Sequence, residues 1–151
     1  MVEAERAQIS PQATRARTVA RIALAFLVFT GAMVGLWALA DPRGFYDSFP
    51  GGGRTWVSVD GPYNEHLVRD VGAAYAGFGL LALIGAVRLT RGIVMAAGWA
   101  WVVFATPHLV YHLAHTDLYS TSDAVAQSIS LGGGVVFAVA ALWASRRLPA
   151  S

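Results

Sequence analysis

Four long apolar segments constrain this chain more than any other feature of its sequence. Each is close to the roughly 20 residues that a helix needs to cross a hydrocarbon core of about 30 Å. Because backbone groups in lipid must be hydrogen-bonded within the protein, helices are the expected form of such segments. The sequence therefore predicts an all-α membrane protein, a four-transmembrane-helix bundle in up-down-up-down order, with helices at about 20–40, 66–87, 92–114 and 123–145.

The composition agrees with a membrane protein. Apolar residues make up 56% of the chain and charged residues 13%, whereas roughly a quarter of the residues in a soluble domain are charged. The chain has no cysteine, which excludes disulfides and thiolate metal ligands. It has no lysine, which excludes Schiff-base chemistry. The arginines are scattered at the ends of the apolar segments, so no nucleic-acid partner is expected.

The remaining segments divide the chain into a transmembrane domain, two tails and one long loop. We expect a cytoplasmic tail over 1–18, the transmembrane domain over 19–147 and a second tail over 148–151. The loop over 41–65 combines turn residues with aromatic residues, as expected at a membrane–water interface, and includes a short strand within 54–60. A secretory signal peptide ending at Ala38-Leu-Ala40 is the alternative for the first segment. The segment is longer than an ordinary signal sequence, which favours a retained helix.

The arginines also predict an orientation. With the N-terminus in the cytoplasm, eight of the eleven arginines lie on the inner side and three on the outer side. This distribution follows the rule that cytoplasmic loops carry an excess of basic residues. The chain is therefore expected in the plasma membrane with both termini cytoplasmic, and all four histidines then lie on the outer side.

Two polar clusters adjoin the apolar segments. His108, His112 and His115 recur at a spacing that places them on one face of the third predicted helix. His66 and Asp70 are four residues apart on the second predicted helix. In an antiparallel bundle both clusters arrive at the same depth near the outer face. His115, at the helix end, is expected to be an ordinary interfacial residue.

These residue types point to metal or acid/base chemistry. Imidazoles with a carboxylate and no sulfur suit zinc, iron or copper(II), and ionisable groups at membrane depth usually serve a function. We therefore predict that His66, His108, His112 and Asp70 bind a transition metal, or that His108, His112 and Asp70 act as catalytic acids and bases. The substrate would be a small lipophilic molecule. Haem fits less well because no repeated intrahelical histidine pair is present.

Two further interpretations remain. A proton relay in a transporter is one, although four spans are few for a transporter that does not oligomerise. The other is a non-enzymatic accessory subunit that docks onto a larger membrane complex. Gly31-x-x-x-Gly35 and Gly132–Gly134 would form its docking faces, because such glycines let helix backbones approach closely. The expected partners are thus membrane lipid, a second copy of the chain or a larger complex.

One stretch carries a family resemblance. The motif Asn64-Glu65-x-x-x-Arg69-Asp70-x-Gly72-x-x-Tyr75-x-Gly77 follows an Asp-Pro exit from the first segment. Together with the four-helix topology, it resembles the small membrane proteins of the DoxX-like and related families. The resemblance implies an integral membrane protein, in some members linked to redox partners. It assigns no catalytic residues to this chain.

Overall fold

The structure, a computed structural model, describes residues 11–150. Within that range it contains five α-helices, a two-stranded antiparallel hairpin and one short 3-10 helix at Thr116–Leu118. The helices are α1 (Pro11–Ala40), α2 (Pro42–Ser48), α3 (Glu65–Arg88), α4 (Arg91–Ala114) and α5 (Thr121–Ser145), and the strands are β1 (Pro50–Gly51) and β2 (Arg54–Thr55).

Four of these helices, α1, α3, α4 and α5, are long and apolar enough to cross a membrane. Their most apolar windows are only 22% to 39% buried inside the protein. Most of each span therefore presents apolar side chains outward, as in a helix solvated by lipid on its outer face. The predicted all-helical fold with four candidate spans is confirmed.

The first helix begins earlier than predicted. It is already helical at Pro11, the first described residue, rather than from about position 20. The alanines and arginines that follow Pro11 are strong helix formers. The predicted tail boundary at position 18 is therefore corrected, because residues 11–18 are helical. The rest of that tail, residues 1–10, and Ser151 of the second tail lie outside the described residues.

The backbones of α1 and α3 approach each other closely at glycine residues. A Cβ atom built on Gly31 would lie 2.6 Å from the Gly79 Cα, and one on Gly35 would lie 2.6 Å from the Ala76 nitrogen. The two helices are antiparallel, since higher positions in α1 face lower positions in α3. The close approach predicted from Gly31 and Gly35 is confirmed. Both glycines are buried in this contact, so the prediction that they form a docking face for a larger complex is wrong.

Two of the three consecutive glycines of α5, Gly133 and Gly134, also pack inside the bundle. A Cβ on Gly133 would lie 3.1 Å from the Phe26 ring of α1, and one on Gly134 would lie 3.7 Å from the Ala105 Cβ of α4. A Cβ on Gly132 would meet no atom within 4 Å. The predicted smooth glycine face therefore contacts neighbouring helices of the same chain.

The contact between α3 and α4 is organised around Trp101 and Tyr75. Trp101 of α4 is 1% exposed, and its indole Nε1 donates a hydrogen bond of 3.2 Å to the Phe78 carbonyl of α3. Tyr75 is buried and meets the Trp101 ring edge-on, with centroids 5.9 Å apart. These contacts fix which face of α3 points toward α4.

The loop between α1 and α3 is more ordered than predicted. The carboxylate of Asp41 accepts a hydrogen bond of 3.0 Å from the Gly44 nitrogen, and Pro42 occupies the first helical turn. An aspartate cap followed by proline starts a helix as well as ending one, which explains why α2 follows α1 at once. The strand expected within 54–60 is reduced to the two residues of β2, paired with β1.

Candidate functional site

Two of the predicted histidines lie together in the last two turns of α4. The His108 and His112 rings are one turn apart, with centroids separated by 4.8 Å. The His108 ring stacks on Phe104 at 5.8 Å and meets Tyr75 edge-on at 6.4 Å. Both histidines are half-buried. The structure therefore places an imidazole pair against the aromatic contact between α3 and α4.

His112 has an unusual polar atom. Its Nδ1 is buried, and no group in residues 11–150 forms a hydrogen bond with it. An unsatisfied buried polar atom typically costs about 1–3 kcal/mol, so native proteins contain few of them. His115 shows the ordinary arrangement, because its Nδ1 lies 2.7 Å from the Tyr111 carbonyl at the end of α4. As expected, His115 acts as a helix-end residue.

Polar groups from α5 and from the segment before it surround His112. Gln127 of α5 is only 4% exposed, and its carboxamide neighbours both the His112 ring and the Tyr119 hydroxyl. The Tyr119 ring centroid lies 6.2 Å from that of His112. A buried amide and a phenol thus share one side of the imidazole.

The α1–α3 loop closes the outer end of this group. The Tyr119 hydroxyl donates a hydrogen bond of 2.9 Å to Asp60 Oδ1 and lies 3.2 Å from the Trp56 carbonyl. The Asp60 carboxylate is also close enough to act electrostatically on both His108 and His112. We call His108, His112, Tyr119, Gln127 and Asp60 the outer polar site, after the side of the membrane on which the sequence predicts this end of the bundle.

The same loop is fastened to the start of α5. Asp123 Oδ1 accepts hydrogen bonds from Arg54 Nη1 at 2.6 Å and from Trp56 Nε1 at 2.9 Å. Its second oxygen accepts a bond of 2.8 Å from the Ser120 hydroxyl. One carboxylate therefore holds a strand, a tryptophan and a helix N-terminus in a fixed relation beside the outer polar site.

The second predicted cluster lies elsewhere. His66 Nε2 and Asp70 Oδ2 are 3.2 Å apart, and their side chains are 88% and 63% exposed. Tyr75, on the buried face of α3, is nine residues beyond His66, which is about half a turn around the helix axis at roughly 100° per residue. His66 and Asp70 therefore point away from α4. Glu65 and Arg69, also four residues apart, form an ion pair of 2.9 Å on the same helix.

The structure does not assemble the predicted metal site. In the described part of the chain, no three histidine, aspartate or glutamate side chains lie close enough together to hold a metal ion. The predicted ligand set is split into two pairs, His66 with Asp70 and His108 with His112. A common depth along the bundle does not bring the two pairs together. The rotation of α3 about its axis turns His66 and Asp70 away from His108 and His112. The catalytic roles assigned to His108, His112 and Asp70 stay predictions.

Three members of the outer polar site were not identified from the sequence. Asp60 was interpreted as a turn residue, and Tyr119 as part of a short polar loop. Gln127 carried the clearest signal that was passed over, because a carboxamide within an apolar span requires a polar partner.

The Tyr119 hydroxyl gives this site a testable pH dependence. Burial raises its pKa to about 12, from an ordinary value of about 10. The folded state thus favours the neutral hydroxyl, so this stabilisation is complete below about pH 10 and is lost as the pH rises through about 12. We expect the wild type to lose more stability than Tyr119→Phe over that range, measured by denaturant unfolding. Equal losses would show that the fold does not favour the neutral hydroxyl.

Comparison of the chain with protein-family models, with curated proteins and with solved structures found no match. The resemblance to DoxX-like proteins therefore stays a prediction.

Proposed function

We propose that this chain is an integral plasma-membrane protein that binds a small lipophilic molecule at the outer polar site and exchanges a proton with it. Its four spans would follow an up-down-up-down order with both termini in the cytoplasm. Four helices of sufficient length and apolarity support membrane insertion. Antiparallel contacts of α1 with α3, and of α3 with α4, support the alternating order.

The charge distribution supports the orientation. Within residues 11–150, seven arginines lie at the bundle end formed by the start of α1, the α3–α4 turn and the end of α5. The seven acidic residues of that range all lie between positions 41 and 123, in the loops and helix ends of the opposite side. The basic end would face the cytoplasm, and the outer polar site would lie under the outer leaflet headgroups.

The observation that carries the binding proposal is the unpartnered Nδ1 of His112. A buried imidazole nitrogen beside a buried amide and a phenol is a ready partner for a hydroxyl or carbonyl group. Ligand sites of this kind combine apolar walls with a few convergent polar groups. Here Phe104 and Tyr75 supply aromatic surface next to His108.

The residues suggest distinct roles in the proposed chemistry. Imidazole is the side chain best suited to exchange protons near neutral pH, so His112 would transfer the proton. Gln127 and the Tyr119 hydroxyl would orient the bound polar group by hydrogen bonds. Asp60 would favour any positive charge that develops on the histidine pair. His66 and Asp70 have no role in this proposal, because their side chains point away from α4.

A stability measurement tests whether His112 is retained for binding. If its Nδ1 awaits a ligand, His112→Phe removes an unsatisfied polar atom and should raise the unfolding free energy of the ligand-free protein by about 1 kcal/mol. His115→Phe is the matched control and should destabilise the protein, because it removes a satisfied hydrogen bond. Both values would be measured by denaturant titration in mild detergent. Destabilisation by His112→Phe would contradict the proposal.

A second experiment identifies the bound molecule. Wild type, His112→Phe and His66→Ala would be purified from membranes in mild detergent and extracted with organic solvent, and the extracts compared by mass spectrometry. We expect at least one small lipophilic compound to be about fivefold enriched on the wild type and on His66→Ala relative to His112→Phe. Extracts of the same composition from all three proteins would overturn the proposed site.

A further inference from the structure

Among residues 11–150, the end of the bundle proposed to face the cytoplasm concentrates positive charge and carries no acidic side chain. Leu24 of α1 packs against Gly85 of α3, and the Arg91 nitrogen donates a hydrogen bond of 2.7 Å to the Pro149 carbonyl beyond α5. These contacts bring three parts of the chain to one end. The arginines gathered there are Arg15, Arg17, Arg21, Arg88, Arg91, Arg146 and Arg147.

None of these seven arginines forms a salt bridge with another described residue. All four ion pairs found between positions 11 and 150 involve side chains from the opposite end. Six of the seven arginines are exposed. A surface of this kind, beside a membrane, is complementary to anionic headgroups.

Arg88, one of these arginines, lies at one end of an apolar groove. Leu83, Ile84 and Val87 line a surface depression on α3 together with Arg88. The three apolar side chains are 46%, 41% and 72% exposed. They lie within an apolar span, so the groove opens toward the lipid, and Arg88 ends it at the level where α3 turns into α4.

We propose that this groove is a binding site for an anionic phospholipid of the inner leaflet. One acyl chain would lie along Leu83, Ile84 and Val87, and the phosphate would pair with the Arg88 guanidinium, which matches phosphate oxygens with two parallel hydrogen bonds. The other inner arginines would favour a headgroup with net negative charge over a zwitterionic one. This inference rests on the membrane insertion proposed above and is independent of the outer polar site.

The groove favours a lipid over a soluble phosphate. The acyl chain of a lipid would contact three exposed apolar side chains and so add to its binding affinity. A soluble phosphate has no such chain and would bind more weakly. Each basic residue near a membrane surface adds about 1 kcal/mol of attraction to anionic lipid. Removal of the Arg88 charge alone should therefore reduce selectivity by about fivefold.

Spin-labelled lipids provide the test. The protein would be reconstituted in phosphatidylcholine vesicles with a trace of spin-labelled phosphatidylglycerol or phosphatidylcholine, and the immobilised fraction measured by electron paramagnetic resonance. We expect the wild type to prefer phosphatidylglycerol over phosphatidylcholine by more than about fivefold, and Arg88→Gln to reduce that preference by about fivefold. Arg43→Gln is the matched control, since Arg43 pairs with Asp47 at the other end and should leave the preference unchanged.

Two further arms separate the alternatives. Val87→Trp should reduce the preference by filling the groove, whereas excess glycerol phosphate should not compete with the labelled lipid. Equal reduction by Arg88→Gln and Arg43→Gln would overturn the site, because it would show that total charge alone selects the lipid. Competition by glycerol phosphate would overturn the role of the groove. If the protein inserts into the vesicles but does not select between the two labelled lipids, the lipid site is refuted. The proposal that the chain spans a membrane would still stand.

Discussion

Replacement of Gly31 by leucine is expected to lower the free energy of unfolding by about 3 kcal/mol. A Cβ at this position would lie 2.6 Å from the Gly79 Cα and 2.7 Å from the Tyr75 carbonyl oxygen. Both atoms belong to the backbone of α3, so no side-chain rotation relieves the clash and the two helices must separate. Circular dichroism during titration with a denaturing detergent would measure the loss.

Gly77 provides the matched control. It lies on the same packed helix pair, in α3, but a Cβ there would meet no atom within 4 Å. Gly77→Leu should be neutral or slightly stabilising, because leucine has a higher helix propensity than glycine by roughly 0.8 kcal/mol. Equal destabilisation by both variants would show that leucine disturbs α1 and α3 at any position, and not through the α1–α3 contact at Gly31.

This packing was among the features that the sequence could predict. A run of apolar residues fixes the length and identity of a span through transfer energy alone, so the four spans were identified without knowledge of tertiary contacts. The spacing of Gly31 and Gly35 indicated close helix contact for an equally local reason. It did not indicate the partner, which proved to be α3 of the same chain rather than another subunit.

The prediction of one site from two clusters failed for a geometric reason. Position along an antiparallel helix sets the depth of a side chain, but the rotation of the helix sets its direction. On α3 the buried face is defined by Gly72, Tyr75 and Gly79, and His66 lies about half a turn from Tyr75. The two glycines and the tyrosine of this face were visible in the sequence. Used as a packing face, they would have placed His66 and Asp70 outward.

The loop contributions could not be derived from local patterns. Tyr119 meets Asp60 across 59 positions of sequence, and Asp123 meets Trp56 across 67. No periodicity relates such residues, because their proximity depends on how α2 and the hairpin fold back over the bundle. The amide Gln127, by contrast, was recognisable as an isolated polar group, even though its neighbours His112 and Tyr119 were not.

The link between this loop and α5 leads to a second large effect. Asp123→Ala is expected to weaken the packing of the hairpin against α5, since hydrogen bonds to a charged acceptor are roughly twice as strong as those between neutral groups. The variant removes the acceptor for both Arg54 and Trp56. The Trp56 amide, which donates a hydrogen bond of 2.7 Å to the Phe49 carbonyl, should then exchange with solvent about thirtyfold faster. Hydrogen exchange followed by mass spectrometry measures this rate.

The appropriate control for this variant is Asp117→Ala. Asp117 is an exposed carboxylate in the 3-10 helix before α5, so its removal changes the net charge equally without touching the hairpin. In Asp117→Ala, the Trp56 amide should exchange with solvent at the wild-type rate. An unchanged rate in Asp123→Ala would show that the Tyr119 contacts alone hold the loop. A rate increase confined to Asp123→Ala would establish this carboxylate as the group that keeps Asp60 and Trp56 next to Tyr119, and thus keeps the outer polar site closed by the loop.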